Sequence, residues 1–189
     1  LDKPNISLLS DEFLEEVRQM PAKNLAVELL EKLLKDDIRS KTRNNVVQEK
    51  KYSDRLLETL RKYNNRAIET AQVIEELIKM AQEFREAMKR NEDLGLSPDE
   101  IAFYDALAAN ESAVRELGDK VLKKIALKLT EKLRASTTVD WQFRDSVRAK
   151  IRNIIRRLLK KYKYPPDKCD DAIDLVLKQA EALSASWAA

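Results

Sequence analysis

A row of arginines one helical turn apart is the feature of this sequence best suited to chemistry. Arg144, Arg148, Arg152 and Arg156 recur at intervals of four and are continued by Lys160. On a helix that spacing places all five side chains along one flank. Between Arg144 and Lys163 there are nine basic residues and one acid, Asp145, a local net charge of +8. A row of this kind can track the phosphates of a nucleic acid. The same row can instead be neutralised from within, because the final segment carries Asp167, Asp170, Asp171, Asp174 and Glu181 against Lys168 and Lys178. A third reading is contact with an acidic protein surface. The candidate contact residues are therefore Arg144, Arg148, Arg152, Arg156 and Lys160, with duplex DNA or a partner protein as the ligand. Tyr162 and Tyr164 add an aromatic pair beside the basic run, readable as a base-stacking platform or, more simply, as a packing plug against Pro165 and Pro166.

Catalytic signatures are missing where they would be expected. With no histidine in 189 residues there is no His-dependent triad, no imidazole base and no histidine ligand for zinc. Two glycines, Gly95 and Gly118, are too few for a glycine-rich phosphate loop. Pro98-Asp99 and Pro166-Asp167 resemble the opening of a metal-dependent nuclease motif. No later Asp or Glu is followed two places on by lysine, so both pairs read as helix starts. Glu75, Glu76 and Glu100 lack the histidines of a di-iron bundle. Cys169, the one cysteine, is read as a small packed residue rather than an activated thiol. The expectation is no catalytic residue, no cofactor site and no metal site in this chain.

The elements that would position the basic row are helices. Charged residues make up 37% of the chain, and Leu, Ala, Glu, Lys and Arg dominate. The 36 basic and 33 acidic residues nearly cancel, so charge acts locally. Ser10 with Asp11 and Glu12 predicts a helix start, ended by Pro21. Leu25, Leu29, Leu30, Leu33, Leu34 and Ile38 predict the apolar stripe of a second helix. A helix through Tyr52, Leu56, Leu57 and Leu60 precedes a long one carrying Ala67, Ala71, Ile74, Ile78, Ala81, Phe84 and Met88; the two are continuous or bend at Asn64-Asn65. Gly95 suits the residue just beyond that helix, and Ser97-Pro98-Asp99-Glu100 is a capping box with proline in the first turn.

Further helices are predicted through Ile101 to Leu107 and along Val114, Leu117, Val121, Ile125, Leu129 and Leu133. The basic helix runs from Trp141 to about Tyr162. A last helix starts at Pro165-Pro166 and carries Ala172, Ile173, Val176, Leu177, Ala180 and Leu183. A short extended piece is expected near Thr137 to Val139 on β-propensity alone. The fold class is thus all-α, a multi-helix bundle with one or two long helices and no significant sheet. Its organisation is a single helical domain over 1–189, with two lobes meeting near 95–97 as the alternative. The longest stretch without a charge, Ala182 to Ala189, is far short of a membrane span. A lone cysteine fits a reducing, cytoplasmic compartment. The beginning at Leu1 reads as a fragment of a longer polypeptide.

Longer strings carry a resemblance. Met20-Pro21-Ala22-Lys23-Asn24-Leu25-Ala26, Asn45-Val46-Val47-Gln48, Asn65-Arg66-Ala67-Ile68-Glu69 and Gln72-Val73-Ile74-Glu75-Glu76-Leu77 come first. Gly95-Leu96-Ser97, Glu100-Ile101-Ala102-Phe103-Tyr104-Asp105-Ala106-Leu107, Val139-Asp140-Trp141, Arg148-Ala149-Lys150-Ile151-Arg152 and Tyr164-Pro165-Pro166 follow. In this order, from about Leu9 to Trp187, the chain resembles the C-terminal helical region of the endonuclease (R) subunit of type I restriction-modification enzymes. The resemblance implies a parent subunit with a nuclease domain and an ATP-driven, Mg-dependent DNA translocase upstream. For this part it implies a non-catalytic docking module whose partners are the methyltransferase and specificity subunits, in a bacterial or archaeal cytoplasm. The family's nuclease carboxylates and nucleotide-binding loop have no matching positions here.

Overall fold

A computed structural model describes residues 9–136 and 141–187. Every regular element in the described residues is helical: α1 Asp11–Arg18, α2 Lys23–Lys41, α3 Val46–Asn64, α4 Thr70–Asp93, α5 Pro98–Ala108, α6 Glu111–Ser136, α7 Asp145–Lys161 and α8 Cys169–Trp187. Short 3₁₀ turns at Trp141–Phe143 and Pro166–Lys168 precede α7 and α8. The extended piece expected at Thr137 to Val139 lies outside the described residues. The all-α fold class is as expected. The chain forms two compact units, one drawn from Leu1–Arg43 and Glu49–Gly95, the other from Asn44–Gln48 and Leu96–Ala189.

The first unit packs α1, α2, α4 and most of α3 around Leu14, Leu30, Leu34, Leu77, Ile78 and Phe84. Tyr52 of α3 meets Phe84 of α4 edge to face, with centroids 4.8 Å apart and planes at 81°. Ser10 caps α1 through its side chain, which accepts from the Phe13 N–H at 3.3 Å. On α2 the buried face is Ala26, Val27, Leu30, Leu34 and Ile38. Leu29 and Leu33 are half-buried and Leu25 is 56% exposed, so the stripe is rotated from the all-leucine reading. Ala26 and Val27 join Leu30, Leu34 and Ile38 on the inner face, and Leu25 is left outside.

The open question between α3 and α4 resolves as a break. α3 ends at Asn64, and Arg66 takes the left-handed conformation with φ 54° before α4 begins at Thr70. Ala67 therefore lies in the connecting turn, exposed, and Ala71 is exposed on α4. The buried face of α4 starts instead at Val73 and Ile74. Leu57 is likewise exposed, at 56%. Gly95, at φ 70°, follows α4 as expected, because this backbone region suits a residue without Cβ.

The second unit assembles α5, α6, α7 and α8 around Phe103, Leu107, Leu122, Leu129, Trp141, Ile155 and Ile173. Ser97 and Glu100 form the reciprocal capping box: the Ser97 N–H donates to the Glu100 carboxylate at 2.8 Å, and the Glu100 N–H to the Ser97 hydroxyl at 3.3 Å. α6 is interrupted at Gly118, with φ 71° and ψ 171°. The longer stretch after the kink buries Leu122, Ile125, Ala126, Leu129 and Leu133. Val114, expected on that face, is 41% exposed because it precedes the break. The basic helix starts later than Trp141, since residues 141–143 form the 3₁₀ turn. The last helix likewise starts at Cys169, with the turn at Pro166 ahead of it.

Candidate functional site

The basic row sits on α7, whose apolar stripe of Ile151, Ile155, Leu158 and Leu159 is buried in the core of the second unit. That burial fixes the rotation of the helix and sends Arg148, Arg152 and Arg156 along its edge toward α8. Arg148 donates to the Glu181 carboxylate, Arg152 to Asp174, and Arg156 lies 3.9 Å from Asp170. Three rungs of an α7–α8 charge ladder result, with the two chains of charges running in opposite sequence order as antiparallel helices require. All three arginine side chains keep 36–43% exposure, so each pair is screened by water and is worth only a fraction of a kcal/mol to about 1 kcal/mol.

The two ends of the row differ from its middle. Arg144 is exposed at the N-cap of α7 with no side-chain capping bond. Lys160 is exposed, and neither residue has an acidic partner among the described residues. Of the five candidate residues, the structure thus pairs the middle three with α8 and leaves the outer two, Arg144 ahead of the helix and Lys160 near its end, without an acidic partner among the described residues.

The other side chains singled out by chemistry have structural employment. Tyr164 is 5% exposed and donates its hydroxyl to the Leu107 carbonyl at 2.7 Å, which makes it a packing plug rather than a stacking platform. Its burial pushes the phenol up to about 12. Tyr162 is half-buried with Lys161 Nζ 5.9 Å from its ring centre. Burial raises the Cys169 thiol, and neighbouring Asp170 raises it further against the opposing pull of Arg156 and Lys160, so it is not an activated nucleophile. Glu75 is tied to Arg18 at 2.7 Å and Glu100 to its capping box. Among the described residues no group of three potential metal ligands comes together. No helix in them is long and apolar enough to cross a membrane.

One cluster escaped the residue-type search. Gln179 of α8 is fully buried and reaches the segment ahead of α3, where its side-chain oxygen accepts from the Val46 N–H at 3.0 Å and its amide donates to the Asn44 carbonyl. Asn45 donates to Asp105 of α5 at 2.7 Å and accepts from the Gln48 N–H at 3.0 Å. Two signals pointed there. Gln179 is a polar residue placed on the apolar side of the last helix, and Asn45-Val46-Val47-Gln48 is one of the strings that carried the resemblance.

Comparison with known proteins gives the architecture a family. Residues 1–186 match the model of the family described as type I restriction enzyme HindI endonuclease subunit-like, C-terminal. The chain is 46% identical over 182 residues to the type I restriction enzyme HindI endonuclease subunit of Haemophilus influenzae, covering 96% of this chain and 17% of that protein. It is 36% identical over 163 residues to the putative type I restriction enzyme MjaIXP endonuclease subunit of Methanocaldococcus jannaschii, covering 85% of this chain and 15% of that protein. The chain thus spans less than a fifth of the length of the curated relatives it matches. No solved structure matches it. The resemblance read from the sequence strings is confirmed on this independent ground: the chain belongs to the family of C-terminal regions of type I restriction enzyme endonuclease subunits.

Proposed function

We propose that this chain is the helical assembly module of a type I restriction endonuclease subunit, coupling the ATP- and Mg-dependent DNA translocase and nuclease of the parent to the methyltransferase and specificity subunits. The observation that carries this reading is the family match across residues 1–186, in a region that amounts to the end of a much longer subunit. The sequence supplies no histidine and no phosphate loop, so ATP and metal chemistry belong to other parts of the parent. The α7–α8 ladder agrees with a scaffolding role, since it uses the most prominent charges of the domain to hold two of its own helices. Large apolar side chains lie outside both cores, among them Phe143 at 79% exposure, and such residues are available to a protein partner.

The test is capture of the methyltransferase and specificity subunits by the immobilised chain, with and without DNA. Retention without DNA that survives raised salt supports docking, because apolar interfaces depend weakly on salt. Failure to retain them under any condition overturns it. On the same reading the isolated chain neither hydrolyses ATP nor cuts DNA with any divalent metal, and activity above a mock preparation refutes that. The second reading is contact with duplex DNA along the α7 edge, favoured by the unneutralised Arg144 and Lys160 at its two ends. Neutralisation of the middle three arginines by α8 weighs against it as the principal role.

A further inference from the structure

The opposite flank of α7 carries a second row of cations. Lys150, Arg157 and Lys161 fall with the half-buried Ile154 at intervals of four, three and four, which is one stripe on a helix. All three cations are exposed, and none has an acidic partner among the described residues. Lys161 Nζ lies 5.9 Å from the centre of the Tyr162 ring. Arg157 and Ile154 line an open groove of about 290 Å³ whose other wall is α6, contributed by Lys132, Ala135 and Ser136. Lys132 is also exposed and without an acidic partner, and the neighbouring acid of α6, Glu131, is held by Lys128 at 3.1 Å. Arg134, two residues further along α6, is instead bound to Asp99 at 2.7 Å. The domain thus pairs the middle three arginines of one α7 edge and Arg134 of α6, whereas Lys132 and Arg157 line this groove without an acidic partner among the described residues and Lys150 and Lys161 continue the α7 stripe to either side of it.

We propose that this groove, with Lys132, Lys150, Arg157 and Lys161, is a binding surface for the phosphate backbone of duplex DNA. The surface shares its partner class with the second reading above but none of its residues, and it does not depend on the docking role. Lys150 to Lys161 spans about 16 Å of helix, over which a duplex lying alongside presents about ten phosphate charges. The groove has room for about ten water molecules, enough for a phosphodiester with part of its hydration shell. A rim of lysine and arginine around an open groove suits phosphates better than a protein partner, because lysine is depleted in the cores of protein interfaces. The surface carries no arrangement for reading base edges, so binding is indifferent to sequence.

Fluorescence anisotropy of a labelled duplex of about 20 base pairs tests this on the whole chain, titrated with salt. The variant is Lys132→Gln, Lys150→Gln, Arg157→Gln and Lys161→Gln together; the control neutralises Lys32, Arg39, Lys89 and Arg90, exposed residues elsewhere. The expected result is a log-log salt slope for the wild type that the groove variant lowers by up to about 3.6, from a slope of about 0.9 per phosphate, with at least a tenfold weaker Kd at low salt. The control keeps most of the wild-type affinity. Circular dichroism and the melting temperature should be alike in all three proteins, since only exposed side chains change. Equal losses in variant and control show a mere effect of net charge and overturn the site, as does a wild type that binds no duplex at low salt. Binding of polyglutamate as tight as that of DNA, lost in the groove variant alone, makes the surface a protein-binding one and also overturns the proposal. Capture of the methyltransferase and specificity subunits should be unchanged in the groove variant, so a failure here is distinguishable from failure of the docking reading.

Discussion

Replacing Gln179 by leucine isolates the contribution of one buried amide to the order of a whole segment. Val46 is the first residue of α3, and a first-turn N–H has no acceptor inside its own helix. Its partner is the Gln179 side chain at 3.0 Å, so its protection from solvent exchange depends on that one bond. Leucine keeps most of the side-chain volume but can neither accept from Val46 nor donate to the Asn44 carbonyl. Two neutral hydrogen bonds are lost, and the Val46 donor is half-buried while Asn44 is exposed, so water restores part of the loss. The expected net cost is about 1–3 kcal/mol. If it falls on local release of residues 44–48, the Val46 amide should exchange about five- to hundredfold faster, at 1.4 kcal/mol per tenfold. Amides inside α6, such as Ile125, should be unaffected. Hydrogen exchange read residue by residue makes the comparison. An unchanged Val46 rate in Gln179→Leu would show that the segment is held by Asn45 and Asp105 alone, and the assigned role of Gln179 would be wrong.

Reversing the charge ladder with Arg148→Glu, Arg152→Glu and Arg156→Glu should lower the melting temperature by roughly a few degrees, because each new carboxylate faces Glu181, Asp174 or Asp170; an unchanged melt would mean that the ladder contributes nothing to α7–α8 packing. Gly118→Ala should destabilise by about 1–3 kcal/mol even though an added Cβ meets no atom within 4 Å, since the cost is the backbone conformation at φ 71°, ψ 171°; chemical denaturation measures it. Tyr164 makes stability fall in alkali. Its folded pKa of about 12 lies above the unfolded value of 10, so the folded state holds the proton longer, the contribution is complete below pH 10, and it is lost as pH rises toward 12. Melts of Tyr164→Phe should show a shallower alkaline decline than the wild type, and parallel declines would count against the assignment.

Periodicity made the helices and their order legible, but not the rotation of each stripe about its helix axis. On α2 a pattern of leucines at three and four invites an all-leucine seam, yet the buried face is Ala26, Val27, Leu30, Leu34 and Ile38, with Leu25 outside, because the face that packs is turned partly away from the leucine stripe. Gly118 and Arg66 show the converse limit. A helix-compatible sequence on both sides of Gly118 conceals the break, and Asn64-Asn65 announces a bend without giving its φ 54° pivot at Arg66. The charged face was harder still, since a row of arginines looks the same whether it awaits phosphate or is already matched. The acidic spacing of α8 was present in the sequence, Asp170, Asp174 and Glu181 at four and seven, and pairs in reverse order with Arg156, Arg152 and Arg148 once the helices run antiparallel. The more conspicuous cations are those with partners because a ladder needs regular spacing to match its opposite helix. Lys150, Arg157 and Lys161 share a stripe of α7 by spacing, and Lys132 joined them only when α6 and α7 were set side by side, where it lines one groove with Arg157.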